Sequence, residues 1–232
     1  MSGRRLACWF AGSFVLALLL SAPLQLVLPR LSLPAGLSAT GVEGSLWRGA
    51  LRQAQWQGAE LGDLRLGLSP LPLLAGRQRL RLRSPHAALA LQRGRVRGID
   101  HAHGVLTLPP LSGLALRASL DDARMLFDDD GCRAAGGRVR LEVALPGDAL
   151  PPLLLAGTPS CEGRSGTLAL VSEDTGGPLL LEATLGIDAD SSYTLQTLAR
   201  SDDPAIRAVL LTSGFQDAPG GLSRVDAGRL GR

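Results

Sequence analysis

From about residue 40 onward, apolar side chains recur at every second position, and this period constrains the chain more than anything else in it. Leu64, Leu66 and Leu68 alternate with Asp63, Arg65 and Gly67, and Leu80 and Leu82 alternate with Arg79, Arg81 and Arg83. The pattern returns at Leu89 and Leu91, at Leu106 and Leu108, at Leu114 and Leu116, and at Val139, Leu141, Val143 and Leu145. It continues at Leu168 and Leu170 and at Leu179, Leu181 and Leu185. A period of two sends successive side chains to opposite faces of a strand. Breaks rich in Gly, Pro and Asp part the segments, as turns part antiparallel strands. The expected fold is mainly β, a curved antiparallel sheet with one apolar and one solvated face. One short helix is expected near the C-terminus, over Asp203 to Ser213, with Ser201 or Asp202 as cap ahead of Pro204. Pro70 and Pro72 mark a corner or a very short helix. The stretch from Pro146 to Pro159 reads as a loop or a short helical excursion that divides the sheet.

The N-terminus follows a different rule. Arg4 and Arg5 precede an apolar run from Leu6 to Leu28. Roughly 23 residues suffice to cross a hydrocarbon core of about 30 Å, and the flanking arginines favour a cytoplasmic N-terminus. A cleaved signal peptide ending near Ala22 is the competing reading; Leu20 and Pro23 suit such a cut poorly, and the apolar run continues past it. The expected organisation is a cytoplasmic N-terminus over 1–5, a transmembrane anchor over 6–28, a spacer over 29–40 and an exported domain over 41–232. Cys132 and Cys161 are the cysteines of that domain. In an oxidising compartment such a pair reads first as a disulfide, and otherwise as two separate buried thiols.

Composition excludes several functions. The chain has 24 basic residues, all Arg, a net charge of +3 and 3% aromatics. Single-stranded nucleic-acid binders interleave charge with stacking aromatics, which this chain lacks. Without lysine, phosphate-loop, Schiff-base and Ser-Lys chemistry are closed to it. Gly163-Arg164-Ser165-Gly166 has the wrong spacing for a nucleophile elbow. Asp128-Asp129-Asp130-Gly131 lacks the alternate oxygens and distant Glu of a calcium loop, so it reads as an acidic turn. His101 and His103 fall on one strand face, with Asp100 expected on the other and only His86 left to join them. They read as exposed histidines rather than metal ligands. No catalytic, cofactor or metal residue and no small-molecule substrate emerge.

The arginines are more suggestive. Arg77, Arg79, Arg81 and Arg83 share a strand face, and Arg93, Arg95 and Arg97 recur with the same spacing after a turn near Pro85. If the two segments pair, Arg79, Arg81, Arg95 and Arg97 are candidate docking residues for an acidic partner or anionic headgroups.

Gly41-Val42-Glu43-Gly44-Ser45-Leu46-Trp47-Arg48-Gly49-Ala50 resembles the opening of the periplasmic part of the type II secretion system protein N family. The likeness continues through Leu61 to Leu66, the Ser69–Gly76 corner, the two cysteines, Gly214-Phe215, Gly220-Gly221 and Gly228-Arg229-Leu230. The resemblance implies a non-catalytic, single-pass inner-membrane subunit with its C-terminal domain in the periplasm. Its partners would be other secretion subunits, and its task would belong to export of folded proteins across the outer membrane. The alternative is an AsmA-like envelope protein that holds or transfers lipid in an apolar β-sheet groove. A face sealed by a second layer would favour the subunit, and an open trough the lipid carrier.

Overall fold

The computed structural model describes residues 9–10, 13–14, 23–27, 36–69, 76–111, 114–144 and 151–229. A short helix, α1 (Leu24–Val27), precedes β1 (Leu37–Ser38), β2 (Gly41–Ser45), β3 (Arg48–Trp56), β4 (Ala59–Leu68), β5 (Gln78–Arg83) and β6 (Ala87–Arg93). Long strands follow: β7 (Arg97–Leu111), β8 (Leu114–Asp128) and β9 (Gly131–Ala144). The remainder is β10 (Leu153–Glu162), β11 (Ser165–Ser172), β12 (Leu180–Ile187), β13 (Ser192–Arg200), α2 (Pro204–Thr212), β14 (Gln216–Ala218) and β15 (Gly221–Arg229). Among the described residues these strands form one 15-stranded sheet, whose spatial order from β3 to β13 is the order of the sequence. β1 and β2 lie along the same edge of β3, with Leu37 facing Trp56 and Gly41 facing Arg52.

Because each strand reverses the last, the turns fall on two rims. The lower rim carries the β2–β3, β6–β7, β8–β9, β10–β11 and β12–β13 turns. The upper rim carries the β3–β4, β5–β6, β9–β10 and β11–β12 connections.

The sheet is rolled with its leucine face inside. Arg97 of β7 donates from Nε to the carbonyl of Ala189, in the β12–β13 turn, at 3.1 Å. Five strand spacings would hold these elements about 24 Å apart in a flat sheet. Gly166 of β11 likewise meets Met125 and Phe127 of β8, three strands away; a Cβ at Gly166 would stand 2.6 Å from Met125 Sδ and 2.9 Å from Phe127 Cζ. Both contacts lie near the lower rim, where the roll is tight. The inner face holds a core of Ala102, Ala123, Val139, Val143, Leu155 and Leu170, flanked by half-buried leucines on β6 and β8–β12.

A second cluster joins Leu51, Ala54, Leu64 and Leu66 to Leu24 of α1, which is only 1% exposed. Gly49 makes the fit, since a Cβ there would meet Leu24 Cδ2 at 2.3 Å. Gln25 Nε2 donates to the Val42 carbonyl at 2.9 Å, and Pro23 bridges to Ser45. The end of the apolar N-terminal run is thereby fastened to the lower rim and covers the outer edge of β2. Among the described residues no helix is long and apolar enough to cross a membrane. Apart from residues 9–10 and 13–14, the rest of the expected anchor lies outside them.

Elsewhere the structure departs from expectation in definite ways. The Pro146–Pro159 stretch is not a loop or helix throughout, because its second half is β10. Pro159 is accommodated there since the β9–β10 ladder ends at Gly157, so no N–H toward β9 is needed at 159. β1 falls inside the stretch expected as a spacer. The cap of α2 is Asp203, one residue later than expected: its carboxylate accepts from the Ala205 N–H at 2.7 Å, and Pro204 follows at the first helical position. The corner expected at Pro70 and Pro72 lies outside the described residues.

Candidate functional site

Two β-bulges shape the outer face. β7 carries an extra residue between Ile99 and Ala102, and β8 one between Asp121 and Arg124. A bulge resets the alternation of faces. Asp100 and His101 therefore both point outward, as do Asp121 and Asp122. This corrects the expected separation of Asp100 from the histidines. Asp100 pairs with Arg79, and His101 Nδ1 lies 2.6 Å from Asp122 Oδ1. That bond, first among the causes, holds the Asp122 carboxyl below its ordinary pKa. His103 Nδ1 lies 3.8 Å from Asp121 Oδ1. Among the described residues no group of three or more His, Cys, Asp or Glu is placed to hold a metal.

The register also separates the arginines that the sequence grouped. Arg79 faces Gln92 and Arg81 faces Ala90, so both lie outside; Arg93 faces Gln78, on the leucine side. Arg95 falls in the β6–β7 turn. There, with Arg77, Arg133 and Asp128 to Asp130, it lines a charged cleft of ≈ 550 Å³ on the lower rim. Arg97 points inward, toward Ala189 and, at 3.5 Å, Asp129. The four candidates thus do not form one surface. Arg65, directly opposite Arg83 on the neighbouring strand, completes a basic patch with Arg81 that sequence reasoning missed. All three are exposed, and none forms an ion pair among the described residues. The Asp128–Asp130 run is the acidic turn expected, with the Asp130 N–H donating to Asp128 Oδ1 at 3.0 Å.

These positions differ in what they contribute to the fold. Arg81→Gln and Arg95→Gln should each change stability by less than about 1 kcal/mol, as exposed charges do. Arg79→Gln should cost more, about 1–3 kcal/mol, because Asp100, with 19% side-chain exposure, loses its cation. Urea melts of the three variants check the ranking; equal midpoints would show that the Arg79–Asp100 pair holds nothing.

The inner face is the other candidate surface. Leu89, Leu116, Leu120, Leu141, Leu153 and Leu168 are half-buried along it. α2 does not cover them, since it buries none of its own side chains. Near the upper rim, Pro151, Leu153, Leu179 and Glu173 border a cleft of ≈ 480 Å³.

The family model for type II secretion system protein N matches residues 35–224. The chain belongs to the type II secretion system protein N family. It is also 41% identical over 73 residues to a type II secretion system protein N of Vibrio cholerae serotype O1. That match covers 32% of this chain and only 29% of the relative. No solved structure matches. The protein N match takes in β1 to β14 and the first four residues of β15, Gly221 to Arg224. Cys132 and Cys161 within it are joined in a disulfide, with Cα atoms 5.6 Å apart.

Proposed function

We propose that this chain is a non-catalytic inner-membrane subunit of a type II secretion system, taking part in export of folded proteins across the outer membrane. The family match over 35–224 carries the reading. Residues 6–28 serve as the single anchor, and the domain from about residue 41 stands in the periplasm. Arg4 and Arg5 ahead of the apolar run support this orientation. The seating of Leu24 against Leu51 and Leu64 fits an anchor whose last turn is clamped to the domain. Partner subunits dock through arginines, with Arg79 and Arg81 on the outer face and Arg95 and Arg97 at the lower rim. Cysteine-directed crosslinkers at Arg81 and Arg95 in intact envelopes, with identification of the captured proteins, test the reading. Capture of other secretion subunits is expected; capture of lipid-transport proteins alone would overturn it.

The half-covered leucines of the inner face support a second reading, in which it holds acyl chains. A buried leucine side chain contributes about 1.5–3 kcal/mol relative to an exposed one, so a row of half-covered leucines has affinity to spare. The full chain, purified in mild detergent, should show by native mass spectrometry whether phospholipid stays bound after detergent exchange. As a subunit it is expected to emerge lipid-free, whereas stoichiometric phospholipid would establish the lipid-handling reading.

A further inference from the structure

The sheet has two edges, and they are finished differently. The β2 edge is covered by Pro23 and Gln25. At the other edge β14 pairs only with Gly221, Leu222 and Ser223 of β15. The Pro219–Gly220 turn is a two-residue loop closed by Ala218 and Gly221, so the odd-numbered residues of β15 direct their N–H and C=O toward the β14 side. Beyond the end of β14, the backbone groups of Val225, Ala227 and Arg229 have no partner among the described residues. This half-strand contains no proline and no bulge, and its charged side chains are engaged elsewhere, Asp226 with Arg224 at 2.8 Å and Arg229 with Asp190 at 3.0 Å. Val225 is 61% exposed. Native sheets ordinarily blunt such an edge, because unpaired ladder groups accept another strand.

We propose that the free half of β15 is an edge-to-edge interface between two copies of this chain, paired antiparallel about Ala227. The register follows from the residues. Odd positions must face odd positions. Centring on Val225 would drive the partner into the place of β14, and centring on Asp226 would set two aspartates face to face, which destabilises a ladder. Centring on Ala227 sets Val225 against Arg229 of the other copy and Asp226 against Gly228, with no like charges opposed. Ala227 meets its own counterpart, and with Gly228 it keeps the centre small enough for two rolled sheets to approach. The Arg229–Asp190 and Arg224–Asp226 pairs remain intact.

Cysteine scanning of the full chain, with Cys8→Ser and the native disulfide kept, tests this register. In a hydrogen-bonded pair the two Ala227 Cα atoms would lie about 5.5 Å apart, within disulfide reach. The two Val225 Cα atoms would lie about 14 Å apart, four residues out of step. Under mild oxidation Ala227→Cys should run mostly as a disulfide-linked dimer and Val225→Cys mostly as monomer. Adding Arg229→Cys to Val225→Cys should restore the dimer. The otherwise native chain should be trapped as a dimer by a chemical crosslinker, and Val225→Pro, which removes one free N–H, should abolish that crosslinking while leaving the thermal midpoint unchanged. Equal crosslinking of both single variants, no dimer from either, or capture of a different protein at Ala227→Cys would each overturn the proposal.

Discussion

Replacing both Cys132 and Cys161 with serine should lower the melting temperature by roughly 7–14 °C. The sequence separation is 29 residues, and releasing a loop of that length restores about 3.5 kcal/mol of chain entropy to the unfolded state. In a domain of this size each kcal/mol shifts the midpoint by about 2–4 °C. The location makes the full effect reasonable. The β9–β10 ladder ends at Val139–Gly157, while β10 stays paired with β11 as far as Glu162. The lower halves of β9 and β10 are joined instead by the disulfide, and the Cys132 N–H donates to the Arg164 carbonyl at 2.8 Å. Circular-dichroism melts with and without reductant check this. An unchanged midpoint would mean that the backbone bond to Arg164 suffices.

Gly166→Val gives the second large effect, and its sign is diagnostic. In an open strand Val is the better residue: it suits the pleated surface, and replacing Gly removes about 0.5–1 kcal/mol of entropic cost. In this roll a Cβ would strike Met125 and Phe127. Overpacking of that kind costs about 1–3 kcal/mol. Met125→Ala in the same chain should recover much of the loss by vacating the space. Denaturant melts of the single and double variants measure both effects. A stabilising Gly166→Val would mean that the sheet is unrolled in solution.

Much of this fold was legible in the sequence, because most strands have one buried and one exposed face and so print a period of two. The legible part ended where that rule fails. A bulge at Asp121–Arg124 shifts the alternation within β8 and another at Cys132–Ala134 shifts it within β9, so no period of two was read between Ala118 and Gly136 although both strands run through that stretch. β10 was hidden by Pro159, by Pro151 and Pro152 just ahead of it and by three consecutive leucines, Leu153 to Leu155, which carry no period. Of the candidate site, the disulfide was readable from compartment and count. The arginine surface was not, because spacing alone does not give register: Arg93 lies opposite Gln78, and Arg95 sits in a turn. The partial covering of the inner face also lay beyond sequence reasoning. Alternation announces an apolar face but not what lies over it.

The unbroken match between spatial and chain order from β3 to β13 bears on how the molecule assembles. Each of these strands finds its partner in the strand just before it, so each pairing closes a short loop at little entropic cost. Such a sheet can grow by accretion, one hairpin at a time, on whatever has already been laid down. No strand has to wait for a distant part of the chain to arrive. A polypeptide delivered end-first through a narrow channel can therefore fold as it emerges. The long-range ties, Arg97 to Ala189 and Met125 to Gly166, come last and draw the growing ribbon into its roll.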